Sequence, residues 1–308
     1  MSSRYYSTFF CHLIAIVTVI IWGSTFVFTK LLLLAGLSPA QIFTLRFVIA
    51  YVLLLLFSLS RSTHRWCCRS WRGELLMVAL GVTGGSLYFL AENEALRYTT
   101  TTNASLIVCS CPLFTSLLVG AFYKSLRLRR VQLVGMLLAA AGLVMVVLNG
   151  HFVLHLSPVG DTLAFVACLC WAVYSLLLVP ANQRYDAVFI TRKVFFYGLL
   201  TMLPYYLMRP AELSVPWHQL LHSAALWDLL YLGVVASMLC FLLWTWVMDR
   251  LGAVVATNYV FLNPVSTIVF AWWLLGESIT PWFLLGTILI LTGLYFSDRP
   301  QRSRQGTA

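Results

Sequence analysis

Residues 130–149 read RVQLVGMLLAAAGLVMVVLN, and residues 281–297 read PWFLLGTILILTGLYFS. Each is an unbroken apolar run of roughly the length that crosses a bilayer core of ~30 Å as a helix. Each carries two glycines with the same spacing of seven, Gly135 and Gly142 in the first and Gly286 and Gly293 in the second. The two runs stand about 150 residues apart, and other features recur near that offset. Trp22-Gly23-Ser24 corresponds to Trp171-Ala172, Arg46 to Arg192, and Pro112 to Pro264. The chain reads as a duplication.

Composition says where such a chain lives. Of 308 residues, 61% are hydrophobic and 10% charged, whereas soluble domains carry about 25% charged residues. The apolar excess falls in ten blocks. These predict helices near 9–29, 40–60, 73–92, 102–121 and 130–149, then near 158–179, 187–208, 226–247, 254–275 and 281–297. Ser38-Pro39 and Ser157-Pro158 are good helix starts, because proline at the first helical position gives up an N–H that has no partner there anyway. The first run lacks an A-x-A-like cleavage site and continues through Trp22 and Phe28, so it reads as a retained helix. Little chain is left for a soluble catalytic module.

Lysine and arginine placement sets direction. The loop after the second helix holds Arg61, Arg65, Arg69 and Arg72, and the loop after the fourth holds Lys124, Arg127, Arg129 and Arg130. The tail holds Arg299, Arg302 and Arg304, whereas the opposite loops hold only Lys30, Arg97 and Arg209. With ten spans these basic regions share one side, so both termini are expected in the cytoplasm of a bacterial-type inner membrane. Five helices per half is an odd number, so the second half lies inverted relative to the first. The expected fold is an all-α polytopic membrane protein of ten transmembrane helices in two inverted five-helix repeats. The repeats cover 1–150 and 151–298, followed by a basic tail over 299–308. Inverted repeats place a solute site near the midplane at their interface and open it alternately to each side.

Further motifs resemble one family. Trp22-Gly23-Ser24-Thr25-Phe26 with Lys30, then Ser38-Pro39 and Leu45-Arg46-Phe47, resemble the first two helices of an EamA domain. Ala95-Leu96-Arg97-Tyr98-Thr99 through Ala104-Ser105-Leu106-Ile107 to Pro112 resembles its third-to-fourth segment. The second copy shows Gly160-Asp161, Trp171-Ala172-Val173-Tyr174-Ser175, Asn263-Pro264 and Leu275-Gly276-Glu277. The first copy departs at Lys124-Ser125, where the family has Gly-Glu. The resemblance to EamA-type drug/metabolite transporters covers nearly the whole chain. It implies a ten-helix fold with a central cavity and the export or uptake of small metabolites, often amino acids.

Candidate site residues follow from burial cost. Arg46 lies about two turns, roughly 10 Å, into its helix, where a charge either faces the bundle interior or snorkels to the surface. Arg192 is its counterpart from the other side, next to Lys193. Trp22, Tyr88, Trp171 and Tyr174 offer aromatic walls with polar tips, as small-molecule sites use. Asn103, Asn258 and Asn263 sit in or beside helices 4 and 9 and need a neighbour, water or solute to bond. Pro112 and Pro264 each remove a helical hydrogen bond and free the carbonyl four residues earlier, at Val108 and Val260. Glu92 and Glu94 are expected as solvated charges at the end of the third helix, leaving no carboxylate at mid-span. Gly81-x-x-x-Gly85 suits close helix contact, within the bundle or between copies.

Other classes find less support. The net charge of +10 is distributed through loops, with no basic helix or interleaved patch for nucleic acid. Cys11, Cys109, Cys111, Cys168, Cys170 and Cys240 lie in apolar spans, and the Cys109/Cys111 and Cys168/Cys170 pairs diverge on a helix. His64, Cys67 and Cys68 read as an ordinary loop rather than a metal site. A membrane-embedded enzyme would need paired catalytic groups, yet no His/Asp pair, Ser-His-Asp set or phosphate loop is present, and His151 and His155 have no carboxylate in their loop. A passive scaffold would have no use for paired central prolines. The expected partners are a small-molecule substrate and the lipid bilayer, with no cofactor.

Overall fold

The computed structural model describes residues 8–60, 66–99, 101–124, 129–148, 157–217, 220, 224–275 and 279–297. The regular elements among them are helical. The first half comprises α1 (Thr8–Leu34), α2 (Pro39–Leu59), α3 (Trp71–Tyr98), α4 (Ala104–Phe122) and α5 (Arg130–Leu148). The second comprises α6 (Pro158–Asn182), α7 (Ala187–Met208), α8 (Ala225–Leu251), α9 (Ala253–Phe270) and α10 (Pro281–Ser297). The first nine are long and apolar enough to cross a membrane, and α10, with 17 residues, stands at the short end of the spanning range. The repeat junction at 150/151, the tail from 299 and Glu277 lie outside the described residues.

Helix starts follow local chemistry. Ser38 caps α2 in a reciprocal box: its hydroxyl accepts from Gln41 N while its own N–H donates to Gln41 Oε1 at 2.8 Å. Ser157 caps α6, and Asp161 accepts from Ser157 N at 3.0 Å and from the Thr99 hydroxyl at 2.9 Å. That second bond ties the end of α3 to the start of α6.

The glycine pairs explain how the halves join. A Cβ on Gly135 would sit 2.6 Å from Gly293 O, and one on Gly142 would sit 2.6 Å from Gly286 O. Low numbers on α5 meet high numbers on α10, so the two helices run antiparallel with their backbones touching. Lipid offers no hydrophobic drive for such contact, so small residues that admit close van der Waals packing set the interface. Other equivalent residues also meet. Phe47 and Phe195 have ring centroids 4.8 Å apart, and Phe89 and Phe241 are 6.2 Å apart. Equivalent helices facing one another across an axis, one of each pair reversed, make two inverted five-helix repeats. Gly81 and Gly85 serve this bundle by admitting Tyr197 and Gly198 of α7.

The third helix of each half also departs from α geometry at matching places. Val82–Ser86 in α3 and Tyr231–Leu239 in α8 are wound as π-helix. Such widened turns often occur at functional sites because they re-aim the side chains around them.

Candidate functional site

Helices from both halves aim polar or aromatic side chains at one central cavity, with about 460 Å³ of space not filled by protein atoms, part of it open to solvent. Trp22 from α1, Arg46 from α2, Tyr88 and Glu92 from α3, Trp171 from α6 and Asn263 from α9 line it.

Arg46 is 2% exposed. Its Nε donates to Ser237 Oγ at 2.8 Å, inside the π stretch of α8, and its guanidinium lies over the Phe89 ring, 4.6 Å from the centroid. Among the described residues neither Nη1 nor Nη2 has a hydrogen-bond partner. The side chain is thus held at its root and open at its fork, the geometry that accepts a carboxylate in two-pronged fashion. Snorkelling is not what it does here.

Glu92 corrects the sequence reading. The third helix was expected to end there, but it continues to Tyr98, so Glu92 lies six residues inside the helix end. It is 8% exposed and accepts a hydrogen bond from the Tyr88 hydroxyl, one turn earlier, at 3.1 Å. Glu94, two residues on, pairs instead with Arg97 at 3.3 Å. A carboxylate does sit buried within a candidate span.

The walls are aromatic and rigid. Trp22 and Trp171 meet edge to face with centroids 5.2 Å apart, and Trp22 Nε1 donates to Ala236 O at 2.9 Å. Tyr88 packs on Trp171 at 5.1 Å. The side-chain oxygen of Asn263 is buried without a hydrogen-bond partner, a group that gains free energy when a donor arrives. Pro112 and Pro264 sit where their helices break. The helical stretch ending at Val108 is followed by a turn, and helix resumes at Cys111; in α9, Tyr259–Leu262 is wound as a 3-10 turn before Asn263. Val108 and Val260, whose carbonyls the prolines release, both line the cavity. Irregular backbone at this depth is tolerated where protein or a water-filled cavity covers it.

Three of the residues singled out in the sequence lie elsewhere. Tyr174 is fully buried behind Trp171, 5.2 Å from it, and does not line the cavity. Asn258 turns to α10, where its amide donates to the Ser297 hydroxyl. Arg192 stands near the arginine-rich face of the bundle, donating to Ser58 Oγ at 2.8 Å and lying over Trp66 at 5.1 Å. The two helices run antiparallel, so with Phe47 against Phe195 the α7 residue Arg192 meets Ser58 at the far end of α2, well away from Arg46. Lys193 pairs with Glu74 at 3.0 Å on the same face. The side chain of Asn103 is outside the described residues. Ser237 and Phe241 went unremarked in the sequence, although Phe241 stands at the repeat position of Phe89.

Comparison with known proteins gives this geometry a context. The chain is 28% identical over 293 residues to an uncharacterized transporter of Archaeoglobus fulgidus, covering 94% of this chain and 98% of the relative. It is 27% identical to a probable amino-acid metabolite efflux pump of Salmonella typhimurium, covering 92% and 93% of the two chains. A probable terminal-alkyne amino-acid exporter of Streptantibioticus cattleyicolor is 26% identical, with 95% of each covered. One solved crystal structure superposes with a TM-score of 0.72 at 20% identity, covering 93% of this chain and 96% of its own, which shows a shared fold. Residues 9–148 and 158–297 each match the EamA-like transporter family, and the chain belongs to that family.

Proposed function

We propose that this transporter moves small metabolites bearing a carboxylate, amino acids foremost, out of the cell by alternating access across the plasma membrane. The supporting observation is the Arg46 fork, unpaired and open to a cavity with aromatic walls. Charge interactions strengthen in such low-dielectric surroundings, so the fork favours solutes with an anionic group, and Trp22 and Trp171 hold the apolar remainder. The names of the Salmonella and Streptantibioticus relatives agree with amino-acid export. Lysine and arginine asymmetry supports an orientation with the α2–α3 and α4–α5 connections and both termini in the cytoplasm. Arg46 and Glu92 then lie in the outer half of the bundle.

The test is transport by purified protein in liposomes, run against a panel of amino acids, organic acids, neutral solutes and amines. Saturable movement of carboxylate-bearing solutes is expected. Movement of amines or neutral solutes alone would overturn the assignment.

A further inference from the structure

The established family membership leaves open what drives transport. The cavity holds one feature that Arg46 does not account for. Glu92 faces the same space, with one oxygen on Tyr88 and no ion pair to Arg46 within bridging distance. The titratable and charged groups around it are Arg46 from α2, Tyr88 from α3, and the thiols of Cys109 and Cys111 from α4. The indole of Trp171 from α6 lines the same space. Among the described residues no lysine or histidine lines the cavity. A carboxyl group among apolar walls needs a proton or a cation beside it, since an isolated buried charge is costly. Among the described residues no cation stands within ion-pairing distance of it, Arg46 being the charge that shares its cavity.

We propose that Glu92 is an exchange site, holding either a proton or the ammonium group of an amino acid whose carboxylate lies on Arg46. This deepens the reading of the cavity given above and rests on it. The balance is simple. Glu92 as the acid, together with a zwitterionic amino acid, gives the Glu92 carboxylate paired with the substrate ammonium, plus one released proton. When the substrate leaves, a proton returns to the same oxygen. One site that holds either partner but not both enforces exchange of one proton for one amino acid. The loaded cavity carries Arg46 positive, Glu92 negative and a substrate of zero net charge. The empty protonated cavity carries one positive charge. Each cycle therefore moves one positive charge opposite to the amino acid, inward during export. Both an inward proton gradient and an inside-negative potential drive the solute out. Tyr88 is a positioning residue: its hydroxyl holds one Glu92 oxygen and leaves the other to the exchange.

Wild type and Glu92→Gln are reconstituted into liposomes at matched, monodisperse levels, with voltage clamped by potassium and valinomycin. The probes are labelled leucine, its deaminated analogue 4-methylpentanoate, and an entrapped pH dye. With the lumen acid, wild type should accumulate leucine toward tenfold per pH unit, the limit for one-for-one exchange at about 1.4 kcal/mol per unit, while the lumen loses protons. Glu92→Gln should lose that accumulation and the proton signal, yet still move 4-methylpentanoate down its gradient faster than protein-free liposomes do, and that excess flux shows that it is folded. Glu92→Asp should regain part of the coupling. Leucine transport by wild type without proton movement, or gradient-driven accumulation by Glu92→Gln, would overturn the exchange site while leaving Arg46 recognition intact. Failure of wild type to move either probe would sink both.

Discussion

Arg46 Nε donates to Ser237 Oγ at 2.8 Å, joining a charge on the second helix of one half to the widened turn in the third helix of the other. One nitrogen of the guanidinium is spent on position, and two remain for a ligand. Hydrogen bonds to charged groups contribute about 1.5–3 kcal/mol. Arg46→Gln should therefore raise the KM for a carboxylate-bearing substrate by roughly tenfold to a hundredfold and leave a neutral solute little changed. Arg46→Lys should recover part of the loss, since the charge stays but the fork is gone. Initial-rate measurements in liposomes check this. Near-normal kinetics for the glutamine variant would remove Arg46 from recognition.

Arg192 should behave differently. Its guanidinium is engaged by Ser58 and lies over Trp66, away from the cavity. Arg192→Gln should leave the KM within about twofold of wild type and lower thermal stability instead, since breaking a buried hydrogen bond costs about 1–3 kcal/mol. The same liposome assay, paired with melting in detergent, separates the two arginines.

Pro112→Ala and Pro264→Ala should slow transport more than they reduce folded protein. Each restores an N–H that lets the helix close over Val108 or Val260, both at the cavity wall. Rates normalised to monodisperse protein are the readout, and an equal loss of folded protein and rate would make the prolines structural only.

Gly293→Ala should destabilise the bundle. The added Cβ would stand 2.5 Å from Ala139 N and 2.5 Å from Gly135 O, backbone atoms with nowhere to go. Overpacking of this kind costs about 1–3 kcal/mol. The fall should appear as a lower melting temperature in detergent, and an unchanged temperature would count against the backbone-to-backbone packing of α5 and α10.

Native thiols report the orientation. Cys67 is exposed in the loop before α3, and Cys68 beside it is half-buried. An impermeant maleimide should spare Cys67 in intact cells and label it once the membrane is opened; labelling in intact cells would reverse the topology. Burial pushes the Cys68 thiol above its ordinary value. A raised thiol holds less thiolate at neutral pH, so Cys68 should react more slowly than Cys67, with the gap narrowing as pH rises.

The periodic signals were legible in the sequence. Apolar blocks, Ser-Pro starts and matched glycines each report a local requirement: span length, a capped first turn, a close backbone. Glu92 was not legible, because hydropathy falls at Glu92, Glu94 and Arg97 together, as it does at a helix end. The helix runs on with Glu94 paired to Arg97 three residues later and Glu92 bonded to Tyr88 one turn earlier. Arg192 misled for a related reason. Its sequence offset from Arg46 is near that of the repeat, but the register of α2 against α7 is set by Phe47 and Phe195, which pattern alone does not rank above a charge. Tyr174 and Asn258 share their helices with cavity residues, and only rotation about the helix axis, fixed by packing, separates wall from core.

The glycine-lined contact between α5 and α10 also constrains how the protein is made. Its two strips of bare backbone belong to the fifth helix and the tenth. During synthesis α5 is finished while the whole second half is still to come, so its grooved side must wait in lipid, or against a temporary neighbour, until α10 enters. Neither half presents a finished surface by itself. A ribosome that stalls before residue 281 leaves a bundle with an open seam, of the kind that membrane quality-control proteases could recognise.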